Sequence, residues 1–163
     1  MVYFRKQEKF SRLAEELFLK ERKRILRVIP NADIQHIGST AIPGSLTKGD
    51  LDIQVRVRQK DFEKVQNALS KTYKPNKGNP PTKTYVSFKD TKTKIPLGVQ
   101  LTVIGFKEDN FMTLRDILAN DKKYLEKYNA LKNRYQGKSM KEYRKAKGRF
   151  VEEVLKIGLK NSK

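Results

Sequence analysis

The feature that most constrains this chain is the stretch from residue 33 to 57, in which Gly38-Ser39 is followed by Asp50-Leu51-Asp52. Successive side chains of a strand point to opposite faces, so Asp50 and Asp52 share one face and the apolar residues between and after them share the other. Two carboxylates roughly 7 Å apart on one strand face suit a divalent cation, because hard cations take oxygen ligands. The stretch therefore predicts a strand with an apolar inner face and an acidic, metal-binding edge.

The turn before this strand has the composition of a phosphate-binding loop. Gly38 lets the backbone approach a ligand closely, and Ser39 could offer its hydroxyl to a phosphate. Lys48 could pair with phosphate or neutralise the two acids. Each feature also has a purely structural interpretation: Ser39 as the N-cap of a short helix, and the two acids as solvent-facing residues of a half-exposed strand.

The string His36-Ile37-Gly38-Ser39-Thr40-Ala41-Ile42-Pro43-Gly44, with Lys48 and Asp52-Ile53 after it, resembles the GrpB family of the polymerase-beta-type nucleotidyltransferase superfamily. The run from Phe111 to Tyr135 and the later Tyr143, Lys147 and Phe150-Val151 are similar to that family's C-terminal half. The resemblance implies that Asp50 and Asp52 are the catalytic pair and hold Mg²⁺ or Mn²⁺. It also implies a nucleotide-binding set, which consists of Gly38, Ser39, Thr40, Lys48 and Gln100.

The position of a third catalytic carboxylate is where the chain departs from active members of the superfamily. The matching residues on the later strand are Gln100 and Thr102, and neither is an acid. In-line nucleotidyl transfer uses two metals about 3.5–4 Å apart, which two carboxylates alone hold poorly. Two hypotheses follow: a Mg²⁺-dependent nucleotidyltransferase acting on a nucleoside triphosphate, or a catalytically silent nucleotide- or RNA-binding module on the same fold.

Charge is consistent with either hypothesis. Thirty-seven Lys and Arg against 18 Asp and Glu give a net charge of +19 in 163 residues. Such an excess favours a polyanionic partner such as nucleic acid, although lysine-rich solvated helix faces would give the same count. There is no cysteine, which excludes thiolate metal sites. No apolar run approaches the roughly 20 residues of a membrane span, and the N-terminus lacks the apolar core of a signal peptide, so a cytoplasmic protein is expected.

The remaining periodicities predict an α/β (α+β) fold: a small mixed nucleotidyltransferase-like sheet, an N-terminal helix and a C-terminal helical bundle. We expect one domain, 1–163, with a sheet core over 1–105 and a helical extension over 106–163. The predicted elements are a helix over 7–29, strands over 32–37, 50–57, 84–89 and 97–105, a helix over 61–72 and three helices from 108. The predicted helix caps are Asp61, Asp109 or Asn110, Asp121, and Ser139 with Glu142.

Three further predictions concern single residues and one loop. His36, the only histidine, is interpreted as a packed, hydrogen-bonded side chain and not as a metal ligand. Arg115, Lys132 and Lys147 match basic positions of the family, but each is better explained singly as a solvated helix charge. The lysine-rich loop over 71–83 is either a phosphate-catching lid or a surface loop.

Overall fold

The computed structural model describes residues 1–161. Within these residues the chain forms five α-helices, which are α1 (Ser11–Val28), α2 (Phe62–Ser70), α3 (Phe111–Asn120), α4 (Lys122–Arg134) and α5 (Met140–Asn161). The same part of the chain forms seven strands, which are β1 (Arg5–Lys6), β2 (Asp33–Ile37), β3 (Leu46–Thr47), β4 (Leu51–Val57), β5 (Lys74–Pro75), β6 (Tyr85–Asp90) and β7 (Leu97–Val103). This α+β architecture confirms the predicted fold class.

The main sheet has the order β2-β4-β7-β6-β5. Strands β4 and β7 run parallel, and every other neighbouring pair is antiparallel. Asp52 therefore lies in an inner strand, level with Ile37 on β2 and with Gly98 on β7. The mixed sheet follows from the connection between β4 and β7, which passes through α2 and the β5–β6 pair.

The alternation of β4 decides which face of the sheet is the core. Leu51, Ile53 and Val55 are fully buried on the face covered by α1 and α2. Strand β7 contributes Val99 and Leu101 to the same layer. Burying side chains of this size contributes about 1.5–3 kcal/mol each. The opposite face of β4, which carries Asp52, is thereby turned toward the C-terminal helices.

The C-terminal helices pack on the corner between β2 and β3. Ile42, which lies in that corner, forms a second apolar cluster with Leu118 of α3 and Tyr128 of α4. Phe150 of α5 stacks on Tyr128 with ring centroids 5.2 Å apart. These contacts bring α4 and α5 over the turn at Gly38-Ser39. The division into a sheet core and a helical extension stays a prediction.

The first six residues join the two parts of the fold, which sequence periodicity did not indicate. Strand β1 pairs with β3 in a separate two-stranded sheet. Val2 and Phe4 are buried against Tyr143 of α5, and the Phe4 and Tyr143 rings meet edge to face at 4.9 Å. The predicted helix over 7–29 is correspondingly shorter, because α1 begins only at Ser11.

Two of the predicted caps are wrong and two are present. Asp61 and Asn110 make no capping hydrogen bond, and the Asp109 carboxylate instead accepts from Arg56 and from the Gly105 N–H. The Asp121 carboxylate does accept from the Lys123 N–H at the start of α4. At the start of α5 the Glu142 N–H reaches Ser139 Oγ at 3.4 Å. Arg56, near the end of β4, thus binds the Asp109 side chain, which the local sequence predicts as the cap of α3.

Within residues 1–161, no helix has both the length and the apolar composition that crossing a membrane requires. The loop over 71–83 is mostly exposed and contains strand β5, which pairs with β6.

Candidate functional site

Asp52 lies in β4, Asp50 immediately precedes that strand, and both acids line the same cleft. The Asp52 carboxylate fills the space between two glycines. A Cβ on Gly38 would lie 2.7 Å from Asp52 Oδ2, and a Cβ on Gly98 would lie 2.8 Å from Asp52 Oδ1. Any larger residue at either position would displace the carboxylate. Gly38, just after β2, and Gly98, on β7, therefore leave the space that the Asp52 carboxylate occupies.

The electrostatic setting of the pair is that of two acids held together beside cations. Burial raises the pKa of Asp52 above its ordinary value, and Asp50 raises it further, while Lys147 and Lys48 lower it. Lys48 Nζ lies 2.9 Å from Asp50 Oδ2, in a half-exposed ion pair. A bound cation between the two carboxylates would relieve the repulsion that burial intensifies.

The turn beside the acids has the conformation that its sequence predicts. Gly38 has φ 75°, in the left-handed region that glycine adopts freely, and it precedes the short 3-10 helix Ser39–Ala41. Ser39 is half-buried and faces the cleft. Its hydroxyl accepts a hydrogen bond from Lys132 Nζ and also lies against the Tyr128 phenol.

Lys132 is a buried cation behind this turn. Its side chain is 1% exposed, and Nζ also donates to the Leu46 carbonyl oxygen. The ammonium group lies 3.7 Å from the centre of the Tyr128 ring, a close cation–π contact. Burial lowers the pKa of Lys132 to about 8.

Lys147 of α5 completes the cationic wall on the side of Asp52. The pKa of Lys147 is raised, first by its contact with the Tyr128 phenol and also by Asp52. Burial alone would raise the pKa of Tyr128, but Lys147 and Lys132 outweigh burial and lower it. The interpretation of Lys132 and Lys147 as solvated helix charges is therefore wrong: tertiary packing turns both toward Ser39 and Asp52.

These groups surround a cleft of about 370 Å³. Its walls carry more cations than anions: the basic residues are Lys48, Lys89, Lys132, Lys147 and Arg144, and the acids are Asp50, Asp52 and Asp90. The loop over 71–83 reaches the cleft through Asn76 and Asn79. An acidic pair within a positively charged cleft is complementary in charge to a polyphosphate that carries a metal cation.

Thr40 is the one residue of the predicted nucleotide-binding set that the structure does not bring to the cleft. Its hydroxyl is buried on the other side of the turn, where it donates to the Asp50 carbonyl oxygen. Since that proton is used, Thr40 Oγ1 accepts from His36 Nε2 at 3.0 Å. His36 stacks on Phe18 at 5.3 Å and is packed as predicted. Both residues fix the backbone at the start of β4, and neither side chain lines the cleft.

Gln100 lies in the cleft wall, and its Oε1 accepts from the Tyr85 hydroxyl at 2.6 Å. Thr102 is buried and accepts from the Gln54 carboxamide. Within residues 1–161, no group of three or more acidic or histidine side chains is placed to hold a metal. The missing third carboxylate noted in the sequence has no substitute from elsewhere in this part of the chain.

The arginines near the sheet do not neutralise the acidic pair. Arg56 bonds to Asp109 at 2.6 Å and to Asp33 at 2.7 Å, at the far end of β4. Arg115 donates to the Gln35 side chain and to the His36 carbonyl oxygen, which attaches α3 to β2. The cations beside Asp50 and Asp52 are instead Lys48 and Lys147.

The donor set fits one hard cation and not two. Asp50 and Asp52 both line the cleft, and the glycine cradle holds the Asp52 carboxylate in place. A six-coordinate Mg²⁺ bound by one or two carboxylates completes its shell with phosphate oxygens and water. A second ion would require the acid that is missing at Gln100.

Comparison of the fold gives its class. The chain is similar to the crystal structure of conserved protein GrpB from Enterococcus faecalis, with a TM-score of 0.70 and 19% identity over 91% of this chain and 94% of that one. It is also similar to the Cid1 poly(U) polymerase solved with MgGTP bound, with a TM-score of 0.51 and 13% identity over 75% of this chain and 41% of that one. The fold is thus nucleotidyltransferase-like.

Sequence comparison gives the family. The profile of the GrpB protein family matches residues 9–157. The chain is 31% identical over 154 residues to the UPF0157 protein of Vibrio cholerae serotype O1, an alignment that spans 94% of this chain and 82% of that protein. The chain belongs to the GrpB family.

Proposed function

We propose that this protein binds a nucleoside triphosphate together with one Mg²⁺ in the cleft at the start of β4. The observation that carries the proposal is the convergence, within one cleft, of two neighbouring carboxylates with a serine turn and a cationic wall from α4 and α5. Carboxylates alone would suit a cation, and lysines alone would suit any anion. Their combination suits a metal-bound polyphosphate.

Each side chain has a distinct part in this arrangement. Asp50 and Asp52 would hold the Mg²⁺, which supplies charge neutralisation to the phosphates. The Gly38 backbone and the Ser39 hydroxyl would hydrogen-bond the phosphate chain. Lys147 and Lys48 would contribute positive charge beside it, while Lys132 holds Ser39 in place from behind.

The corresponding reaction is nucleotidyl transfer. The oxygen of an acceptor hydroxyl would form a bond to the α-phosphorus, the bond from that phosphorus to the bridging oxygen would break, and pyrophosphate would leave. The proton of the acceptor hydroxyl would pass to solvent. In this chain the cleft residues bind and orient the triphosphate, and Lys147 and Lys48 lie where they could stabilise the charge on the leaving pyrophosphate.

A second candidate function is nucleotide or RNA binding without transfer. It is favoured by the absence of a third acidic ligand at Gln100 within the described residues. The net charge of +19 provides a general attraction to polyanions. The two candidates differ in chemistry and not in the location of the bound phosphate.

Isothermal titration of ATP and GTP, with Mg²⁺ and with excess chelator, tests the shared part of both candidates. We expect binding of at least one nucleotide that weakens at least tenfold when Mg²⁺ is removed. Asp52→Asn should abolish the Mg²⁺-dependent part, whereas Asp61→Asn, a matched change on the surface, should preserve it. Absence of binding by the wild type, or identical titrations for wild type and Asp52→Asn, would refute the proposal.

Release of pyrophosphate then separates the two candidates. A transferase should release pyrophosphate from a bound triphosphate when acceptor hydroxyls are supplied as RNA or small alcohols, and Asp52→Asn should stop the release. A silent module should bind with the same Mg²⁺ dependence and release none.

A further inference from the structure

A second cavity, of about 270 Å³, adjoins the cleft and shares Ser39, Asp52 and Lys147 with it. Its far wall comes from β6 and the C-terminal helices and is mainly apolar and aromatic, formed by Tyr85, Phe111, Leu114, Leu118 and Tyr128. Ligand pockets typically combine such apolar walls with a few placed polar groups. The phosphate-binding role proposed for the cleft does not account for this second cavity.

Two aromatic rings in this wall lie nearly parallel to each other. Tyr85 and Phe111 have ring centroids 6.4 Å apart and an interplanar angle of 29°. The Tyr85 hydroxyl donates to Gln100 Oε1, which fixes the ring and the carboxamide together. Nucleobases stack on such aromatic surfaces, and every base has a face that can do so.

The Asn110 side chain contributes a polar carboxamide to the cavity wall. It occupies the N-cap position of α3, yet its side chain makes no capping hydrogen bond. It lies in the cavity wall, half-buried, and its carboxamide has no hydrogen-bond partner within residues 1–161. A carboxamide offers one acceptor and one donor side by side, which matches N6 and N7 of adenine.

The cavity is less suited to guanine. The bidentate partner of guanine O6 and N7 is an arginine or lysine. Arg115 lines the cavity, but its guanidinium bonds to Gln35 and His36 on one side and to Asp116 on the other. Lys147 lies on the wall shared with the cleft, where the phosphates are proposed to bind.

We propose that this second cavity binds the adenine ring of ATP, with Phe111 and Tyr85 stacking on the base and Asn110 hydrogen-bonding its edge. The inference rests on the proposed function, because the triphosphate must occupy the adjoining cleft. It adds a base preference and three binding residues: Asn110 and Phe111 at the beginning of α3, and Tyr85 of β6.

Three probes separate the base from the phosphates: Mg-ATP, Mg-GTP and Mg-tripolyphosphate, each titrated into the full-length protein. Tripolyphosphate carries the phosphate chain without a base. We expect ATP to bind about tenfold more tightly than GTP, the scale of one bidentate base contact. Both nucleotides should bind more tightly than tripolyphosphate, which has no base to stack.

Two variants assign this difference to residues. Asn110→Leu should weaken ATP about tenfold and leave tripolyphosphate unchanged, since it removes hydrogen bonding at nearly constant volume. Phe111→Ala should weaken ATP and GTP by the same factor, because stacking does not distinguish bases. Asn120→Ala, at the exposed end of the same helix, is the matched control and should change nothing. Thermal unfolding of each variant checks that α3 is intact.

The possible results of these titrations distinguish the adenine pocket from the phosphate cleft. ATP binding no tighter than tripolyphosphate, or ATP binding unaffected by Asn110→Leu in a folded variant, would overturn the adenine pocket while leaving the phosphate cleft in place. Failure of all three probes to bind would overturn the proposed function and this inference together.

Discussion

At the scale of single residues, the site depends on side chains that position others as much as on those that face the cleft. His36 and Thr40 form a chain of hydrogen bonds that ends on the backbone of Asp50. Gly38 and Gly98 hold Asp52 by leaving room for it. Lys132 supports Ser39 from behind. His36, Thr40 and Gly98 thus position the acidic pair, and Lys132 positions Ser39, without themselves contacting the proposed ligand.

His36 makes the stability of the fold depend on pH. Burial, with a smaller contribution from Arg115, lowers the pKa of His36 from 6.5 to about 4. Between these two values the unfolded chain binds the proton and the folded chain does not, so the free energy of unfolding falls as the pH is lowered from about 6.5 to 4. The full difference corresponds to about 3 kcal/mol.

Urea unfolding of the wild type and of His36→Gln at pH 7 and pH 4.5 measures this contribution. Glutamine retains a donor for Thr40 but does not titrate. The wild type should lose about 2 kcal/mol more than the variant between the two values. Equal losses would show that His36 is not held neutral by its surroundings.

Much of the site at this scale could be predicted from the sequence. The Gly-Ser turn and the Asp-x-Asp strand are local patterns, and the alternation of β4 alone places Asp50 and Asp52 on one face. Thr40 belongs to the same motif, but one turn of 3-10 helix directs its side chain away from the cleft. Lys132 and Lys147 matched family positions, yet helical spacing does not show which face of a helix another element will cover.

At the scale of elements, the neighbouring strands decide whether Asp52 can bind a cation. Gly98 lies beside Asp52 on β7 and has no positive φ, so alanine there is compatible with the backbone. The added Cβ would still lie 2.8 Å from the carboxylate oxygen and would displace it. Helix α5 carries a glycine with the opposite property, because a Cβ on Gly148 meets nothing within 4 Å.

Gly98→Ala and Gly148→Ala therefore form a matched pair. We expect Gly98→Ala to weaken Mg-nucleotide binding at least tenfold while the melting temperature changes little. Gly148→Ala should leave binding unchanged and should stabilise the fold by about 0.5–1 kcal/mol, as alanine favours a helix interior. Titration calorimetry and thermal unfolding of both variants provide the measurements. Unchanged binding by Gly98→Ala would mean that the carboxylate position does not control the site.

Helices and strands could be predicted where their sequence pattern is local. They could not be predicted where two strands pair across a long sequence separation. Strand β4, the hairpin of β6 and β7 and the C-terminal helices follow from alternation and helical spacing. The pairing of β1 with β3 joins residues about forty positions apart, and a two-residue strand carries no periodicity. The prediction that Asp109 caps α3 is wrong because Arg56 binds Asp109 through two hydrogen bonds. Two charge-assisted hydrogen bonds outweigh a single capping contact.

At the scale of the whole molecule, the cleft lies between a sheet that supplies the acids and helices that supply the cations. The N-terminal segment connects the two through Val2 and Phe4, which pack on α5. The net charge of +19 surrounds this cleft with a positive field. Such a field accelerates the approach of polyanions but does not select one of them.

The field predicts salt-dependent binding of RNA. Affinity for a 20-nucleotide single-stranded RNA should fall by an order of magnitude or more between 50 and 200 mM salt, because each contacted phosphate releases counterions. Asp52→Asn should leave this affinity nearly unchanged, since the field comes from the basic surface and not from the acidic pair. Fluorescence anisotropy at four salt concentrations gives the slope. No retention of RNA at 50 mM salt would exclude the RNA-binding candidate.

The central claim is that Asp50 and Asp52 together hold one cation that brings in a phosphorylated ligand. Anomalous diffraction from crystals grown with Mn²⁺ and a non-hydrolysable ATP analogue tests it most directly. We predict one manganese peak within about 2.5 Å of oxygens from both carboxylates and of a phosphate oxygen. The analogue bound with its phosphates away from Ser39, or the two acids without a shared ion, would contradict the claim.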